Sequence, residues 1–138
     1  MSNSYREFSF ALGDVTPQEA TWLRSAHNAK SANDESFCSA FCLVLTEGEA
    51  CLFGEAEGPC DIEVTAEFIQ RFLQKFRPKL TVGWEWADWC SKPLPGAFGG
   101  GVVLVSAKKI LIDSTGEMLR RMLERRPRDM RAKRQKAA

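Results

Sequence analysis

The cysteine thiols and the histidine imidazole are the side chains of this 138-residue chain best suited to act as nucleophiles or metal ligands. The chain has five cysteines and one histidine, His27. The pair Cys38 and Cys42 resembles half of a zinc site, but four residues of strand span about 13 Å, which is too far for one tetrahedral ion. We therefore predict no metal and no cofactor, and we expect five reduced thiols in a reducing cytoplasm.

Two pairs of residues could in principle support catalysis, and neither is favoured by its position in the sequence. A dyad of Cys90 and His27 would require a helix to meet a distant loop, and a histidine on the polar face of a surface helix is the simpler interpretation. Glu85 and Asp88 cannot face each other on a strand, because side chains three residues apart point to opposite faces. The sequence therefore predicts no catalytic residue and a protein that is not an enzyme.

The most unusual segment, residues 84–101, combines three tryptophans, two prolines and four glycines. Its glycine triplet, residues 99–101, runs into a β-branched strand and not into a helix, which is the wrong context for a phosphate-binding loop. We instead expect a bulge or a close backbone crossing with a tryptophan ring above it. The tryptophans either belong to the core or form a contact platform, and the sequence leaves both open.

Part of this segment has a recognisable pattern, in which tryptophans precede C-S-K-P at residues 90–93 and a short spacer leads to F-G-G-G and an apolar strand. The pattern resembles small uncharacterised proteins carried by bacteriophages, plasmids and related mobile elements. It extends from Trp84 or Trp86 to about Ser106, less than a fifth of the chain. The resemblance implies a bacterial mobile-element setting, and it transfers no activity and no catalytic residue.

The net charge of +1 hides a strong asymmetry along the chain. Residues 120–138 carry nine Lys and Arg against two Asp and Glu, which gives +7, whereas residues 1–119 carry ten against sixteen, which gives −6. Seven of the acidic residues fall between positions 47 and 67, where there is no Lys or Arg. This acidic window is either a solvated face or a docking surface for a basic partner.

Length and composition favour one soluble domain at residues 1–126, followed by a basic tail at residues 127–138. The hydrophobic fraction of 44% and the charged fraction of 27% are ordinary globular values. The longest apolar stretch, residues 41–45, is far shorter than the about 20 residues of a membrane span, and the N-terminus lacks a signal pattern. We expect a cytoplasmic protein of a bacterial host with no membrane partner.

Hydrophobic periodicity and turn residues predict five strands and three helices. In chain order these are strand 5–12, helix 17–30, strands 37–46 and 50–54, helix 65–77, strands 80–89 and 101–112, and helix 114–126. Short turns between neighbouring strands favour an α+β fold with an antiparallel sheet of about five strands and two or three helices mainly on one face. Thr16 and Glu19 predict a capping box at the start of the first helix.

Some details of this arrangement bear on the site. The nearly all-apolar run 37–46 predicts a central strand covered on both faces. Three phenylalanines at positions 68, 72 and 76 predict the main core helix. The strand 101–112 is expected to bend at residues 108–109 and to follow a loop of about eleven residues, 90–101. The last helix is expected to bury Met118, Leu119, Met122 and Leu123.

These features together favour a non-enzymatic interaction protein of a phage or mobile element. Its activity could be inhibition of a host defence or nucleic-acid-handling complex, as for an anti-CRISPR protein, and its partner a host protein complex with a basic surface. The loop with its two prolines suits recognition because prolines restrict its shape. The predicted partner-binding residues are Trp86, Trp89, Ser91, Lys92, Phe98, Glu55, Glu57 and Asp61.

The alternative function is nucleic-acid binding through the basic C-terminal segment. A stretch of this charge can hold several phosphates without reading sequence, and a tryptophan could stack on unpaired bases. The acidic body would repel the same polymer. The candidate nucleic-acid-binding residues are Arg120, Arg121, Arg125, Arg126, Arg128, Arg131, Lys133 and Arg134.

Overall fold

The computed structural model describes residues 4–33, 40–55, 60–92 and 95–125. These residues form an α+β fold with six antiparallel strands and three helices, which confirms the predicted class. The elements are β1 (Ser4–Asp14), α1 (Pro17–Asn33), β2 (Cys42–Thr46), β3 (Glu49–Gly54), α2 (Ile62–Phe76), β4 (Val82–Cys90), β5 (Gly99–Val105), β6 (Ile110–Ser114) and α3 (Thr115–Glu124). The predicted tail, residues 127–138, lies outside the described residues.

The strands form one sheet in the order β2-β3-β1-β4-β5-β6. One face of this sheet, called here the inner face, packs against α1 and α2 and forms a single hydrophobic core. Core side chains from both layers include Phe8, Leu52, Trp84, Val103, Leu23, Phe68 and Phe72. On the opposite, outer face the side chains are half-buried or exposed, so the prediction of helices mainly on one face is confirmed.

The core helix α2 begins earlier than predicted. Its N-cap is Asp61, whose carboxylate accepts a hydrogen bond from the Val64 amide at 3.1 Å, and the helix begins at Ile62 instead of Thr65. Thr65 lies in the first turn, where its hydroxyl donates to the Asp61 carbonyl. The predicted apolar stripe is confirmed, because Phe68 and Phe72 are fully buried.

The strand predicted at the centre of the sheet lies at its edge. β2 begins at Cys42 and has one strand neighbour, β3, while residues 37–39 fall outside the described part of the chain. Phe41 is buried just before the strand and lies 5.1 Å from the Phe68 ring of α2, whereas Val44 of β2 is 40% exposed, so the run is not covered on both faces. The run therefore packs its Phe41 against α2 and does not gain a second neighbouring strand.

The strand predicted at 101–112 is two strands joined by a tight turn. The Ser106 amide donates to the Lys109 carbonyl at 2.8 Å, and the Ser106 hydroxyl accepts from the Lys109 amide, so the chain reverses where only a bend was expected. The loop before β5 is also shorter than predicted, because residues 99–101 belong to the strand. A Cβ placed on Gly101 would lie 2.2 Å from the Trp86 ring, which confirms the expected close approach of a tryptophan.

The prediction that α3 buries an apolar stripe is wrong. Ser114 caps this helix as predicted and accepts a hydrogen bond from the Glu117 amide. None of the helix residues is buried, and Leu119 and Met122 are 57% and 67% exposed. A stripe at helical spacing shows only that one face of a helix is apolar, and in α3 the described chain leaves that face uncovered.

Candidate functional site

Three tryptophans of β4 divide between the two faces of the sheet. Trp84 and Trp86 point to the inner face and are buried, and the Trp86 indole N–H donates to Asp88 at 3.2 Å. Trp89 lies three residues after Trp86, so it points to the outer face, where it is half-buried. Of the two tryptophans predicted to bind a partner, Trp89 has a partly exposed ring, whereas Trp86 is a core residue.

Trp89 is held in a fixed orientation by two residues of the neighbouring strand. Its ring packs against Tyr5, with the ring centroids 4.3 Å apart, and the two residues are directly paired across β1 and β4. Its indole N–H donates to a carboxylate oxygen of Glu7 at 3.0 Å. An aromatic side chain restrained in this way loses little conformational freedom when a partner binds.

Arg6 and Asp88 fix the same end of the two strands. Arg6 donates from Nε and Nη2 to the two oxygens of Asp88, at 2.6 and 3.2 Å, and its guanidinium lies 5.5 Å from the centre of the Trp86 ring. Burial tends to raise the pKa of Asp88, but hydrogen bonds from Arg6 and Trp86 outweigh it and the pKa is lowered. Asp88 is therefore a carboxylate at neutral pH.

The loop after β4 folds back to this end of the sheet and encloses a cleft of about 330 Å³. We call it the Trp89 cleft; it is lined by Ser4, Tyr5, Arg6, Asp88, Trp89, Gly96 and Ala97. The predicted binding residues Ser91 and Lys92 are exposed just beyond Trp89, and Phe98 is exposed just beyond Ala97. The structure therefore brings the predicted loop residues to one margin of the sheet.

The predicted acidic residues have different roles in the structure. Glu55 is exposed at the end of β3, where one carboxylate oxygen lies 4.0 Å from the Cys42 sulfur. Asp61 caps α2, and its charge also raises the pKa of Arg6, after the larger effects of Asp88. Asp61 therefore acts on the same group that lines the Trp89 cleft, while Glu57 lies outside the described residues.

The described cysteines are free thiols, three of them half-buried and Cys90 buried. Burial raises the pKa of Cys60 to about 11, and the carboxylates of Asp88, Asp61 and Glu7 add to this effect while Arg6 opposes it. Cys60 is therefore protonated and a weak nucleophile at neutral pH. No group of His, Cys, Asp and Glu that could hold a metal ion occurs among the residues that the structure describes.

His27 is not the surface histidine that the helix pattern predicted. Its ring is half-buried, 5.0 Å from the ring of Phe41 and 6.3 Å from that of Phe68. These two rings come from the residue before β2 and from α2, so only the tertiary fold could reveal this packing.

Two of the three described arginines of the basic segment form ion pairs with carboxylates. Arg120 donates to Glu117 and Glu124 on its own helix, and Arg121 forms an ion pair with Asp113 of β6. A phosphate would have to compete with these partners. Arg125 is exposed at the end of α3. The other candidates, Arg126, Arg128, Arg131, Lys133 and Arg134, lie outside the described residues.

A second surface was missed because the apolar residues of its helix, at positions 118, 119, 122 and 123, were expected to be buried. Of the eleven large apolar side chains that are exposed in the described chain, nine lie between positions 98 and 123. We call this surface the apolar end; it consists of Phe98, Val102, Leu104, Leu111, Ile112, Met118, Leu119, Met122 and Leu123. Concentration of exposed apolar residues in one region is typical of a surface that another molecule covers.

Comparison of the chain with protein-family models, with curated proteins and with solved structures finds no match. The resemblance to phage and plasmid proteins therefore stays an expectation. Among the described helices, none has the length and apolar character needed to cross a bilayer.

Proposed function

We propose that the protein is a non-enzymatic interaction protein that binds another protein through the Trp89 cleft and the adjoining loop. The observation that carries this proposal is the placement of Trp89. The other two tryptophans of β4 stabilise the core, but Trp89 stands on the opposite face, half-exposed and held by Tyr5 and Glu7. A restrained and partly exposed indole beside a cleft is well suited to anchor a protein interface.

The charge around the cleft favours a basic partner. Glu7 accepts the indole N–H of Trp89, and Glu85 and Glu55 are exposed on β4 and at the end of β3, whereas Asp88 in the cleft is paired with Arg6. Residues 1–119 carry a formal charge of −6. Such a surface attracts a basic partner over roughly a Debye length, about 8 Å at physiological salt, and the attraction weakens as salt rises.

The chemistry of the described residues supports binding more than catalysis. Cys60, a thiol on which Arg6 and Asp88 of the cleft act electrostatically, has a raised pKa, whereas a catalytic cysteine needs a lowered one. The Asp88 carboxylate is occupied by Arg6 and Trp86. Inhibition of a host defence or nucleic-acid-handling complex, in a bacterial cytoplasm, stays the prediction that follows from the resemblance.

A comparative pull-down tests the proposal. Immobilised full-length protein is exposed to nuclease-treated bacterial lysate, and retained proteins are quantified for the unmodified chain, for the loop variant Trp89→Ala and for Leu80→Ala. Leu80 is an exposed apolar residue just before β4, at the opposite end of that strand from Trp89, so its substitution is a matched control. A protein retained by the unmodified chain and the control but lost from the loop variant supports the proposal. Identical retention by all three contradicts it.

The predicted alternative, nucleic-acid binding, gives a different result. Single-stranded DNA would be retained at low salt and released on deletion of residues 128–138, with no effect of the loop substitutions. Fluorescence anisotropy of a labelled oligonucleotide at two salt concentrations measures this directly. DNA binding that is lost with the tail, together with no protein partner sensitive to Trp89, would favour the alternative.

A further inference from the structure

We propose that the protein forms a homodimer in which β6 pairs antiparallel with β6 of a second copy, about a two-fold axis at Leu111. The two sheets then become one continuous sheet. This interface lies at the β6 edge, whereas the Trp89 cleft is formed by β1, β4 and the loop before β5. The two surfaces share Phe98, but the strand pairing at β6 does not rest on the proposed function.

β6 has the features of a strand with a neighbour on each side, although it is an edge strand in the single chain. Leu111 points to the outer face and is 48% exposed, while Ile112 points to the inner face and is 41% exposed. Edge strands of monomers are normally protected by lysine, proline or a bulge; residues 110–114 of β6 contain none of these, and Lys109 stands just before the strand. At the opposite edge, β2 exposes one large apolar side chain, Val44.

The sequence of this edge is complementary to itself. Residues 109–113 read K-I-L-I-D, and the same residues in reverse read D-I-L-I-K. Antiparallel pairing centred on Leu111 therefore places Leu111 opposite its own copy and Ile110 opposite Ile112. It also places Lys109 opposite Asp113 of the second copy, twice in the dimer. Apolar pairs in the middle and opposite charges at both ends are favourable cross-strand neighbours.

The backbone hydrogen bonds of the β5–β6 hairpin agree with this register. The bond from Ser106 N to Lys109 O marks a hydrogen-bonded pair, and such pairs alternate along an antiparallel ladder. Ile110 and Ile112 consequently direct their N–H and C=O groups away from β5. These are the groups that the proposed register joins between the two copies. Leu111 becomes a non-hydrogen-bonded pair, in which facing side chains lie closest.

The apolar end adds exposed apolar surface near the proposed strand pairing. Its nine side chains each expose roughly half of their area, which leaves on the order of 600 Å² of apolar surface. A standard interface buries about 800 Å² per partner, including polar surface at its rim. α3 begins at the residue after β6 ends, and Arg121 of α3 pairs with Asp113 of β6. Any apolar partner could cover the leucine and isoleucines. Lys109 and Asp113 are each two residues from Leu111, so a second copy places each of them opposite a residue of opposite charge.

Sedimentation equilibrium of the full-length protein over a range of concentrations tests the dimer. The expected mass rises from that of the 15.5 kDa chain to twice this value, and Leu111→Lys, which places two lysines in contact at the axis, raises the dissociation constant by about 100-fold or more. The matched control is Val44→Lys, an exposed apolar residue on the opposite edge strand, which is expected to leave the dimer unchanged. Thermal unfolding followed by circular dichroism checks that both variants are folded.

A mixing experiment tests the register itself. Lys109→Asp places aspartates opposite aspartates, and Asp113→Lys places lysines opposite lysines, so each variant alone is expected to dimerise more weakly than the unmodified chain. Asp113→Lys also removes the ion pair with Arg121, so circular dichroism checks that this variant is folded. Mixed together, they restore opposite charges at both ends of the strand pair and are expected to form a heterodimer. A heterodimer stronger than either homodimer supports the antiparallel pairing centred on Leu111.

Several outcomes would overturn the proposal. The unmodified protein could be monomeric at every concentration, the Leu111→Lys dimer could be as tight as the original, or the mixed variants could fail to associate. If the chain is monomeric and Leu111→Lys instead abolishes capture of a different protein, the apolar end binds that protein and the homodimer is wrong. Trp89→Ala is expected to leave the dimer unchanged, so failure of the proposed function can be distinguished from failure of the dimer.

Discussion

Arg77 holds Glu19 through two hydrogen bonds, from Nε to one carboxylate oxygen at 2.8 Å and from Nη2 to the other at 3.1 Å. Arg77 is the C-cap residue of α2, and Glu19 lies in the first turn of α1, so the pair joins the end of one helix to the start of the other. Glu19 is buried and also accepts from the Thr16 amide, which completes the predicted capping box. The Glu19 carboxylate therefore links the start of α1 to the end of α2.

Removing the guanidinium should destabilise the fold. Arg77→Met leaves the buried Glu19 carboxylate without its main partner and is expected to lower the free energy of unfolding by about 3 kcal/mol. Urea denaturation at neutral pH measures the loss. Lys79→Met, at an exposed position two residues away, is the control and should change stability by less than about 0.5 kcal/mol. Equal stability of the two variants would show that the ion pair contributes nothing.

The same pair predicts how stability depends on pH. The hydrogen bond from Arg77 lowers the pKa of Glu19 below its ordinary value of 4.5, although burial opposes this shift. A carboxyl group with a lowered pKa in the folded state stabilises the protein above its unfolded pKa, and the stabilisation is lost as pH falls through the folded value. The stability difference between the unmodified chain and Glu19→Gln should therefore be constant near neutral pH and shrink below about pH 4.5. Urea midpoints at successive pH values test this, and a difference that grows on acidification would contradict it.

The main core helix was predictable because its sequence contains both the apolar period and the residue that ends it. Phe68 and Phe72 recur at helical spacing, and Pro78 follows within two residues of the helix end. The start was misplaced because Thr65 and Asp61 are both acceptable caps, and the choice depends on which residues the core can bury. The Arg77–Glu19 contact had no signal in the sequence, since its partners are brought together only by the packing of the helices.

Phe72 is the most direct test of the core assignment. It is fully buried and packs with Trp22 and Phe76, so Phe72→Ala should lower the free energy of unfolding by about 3 kcal/mol or more. Phe98→Ala removes the same atoms from an exposed position and should cost less than about 0.5 kcal/mol. Thermal melts of the two variants make the comparison, and an unchanged melting temperature for Phe72→Ala would exclude the helix from the core.

Substitutions at Gly101 and Gly116 provide a matched test of the close contact between Gly101 and the Trp86 ring. A Cβ on Gly101 would lie 2.2 Å from the buried indole, which has no room to move, so Gly101→Ala should destabilise the protein by about 2 to 3 kcal/mol. Gly116 lies in the first turn of α3 with nothing within 4 Å of the same added atom. Gly116→Ala should instead stabilise by about 0.5 to 1 kcal/mol, because alanine favours helix. A loss of stability from both substitutions would show that the ring contact is not the cause.

The residues that could not be placed from the sequence are those whose surroundings depend on the tertiary arrangement of strands and helices. Alternation along β4 separates Trp89 from Trp84 and Trp86, but it does not say which face the helices cover. The edge position of β2 follows from its pairing with β3 alone, which no local pattern encodes. The stripe of α3 looks the same in sequence whether a core or a second molecule covers it.

Contact and charge should affect partner binding in different ways. Once a partner is identified, Trp89→Ala is expected to weaken its binding by about 10- to 100-fold, mainly by faster dissociation, since an anchoring ring acts after contact is made. Glu55→Lys, at an exposed position away from the ring, should mainly slow association and reduce its salt dependence. Surface plasmon resonance at two salt concentrations separates the two rates. If Glu55→Lys abolishes binding while Trp89→Ala leaves it intact, the acidic surface is the primary contact and the cleft is not.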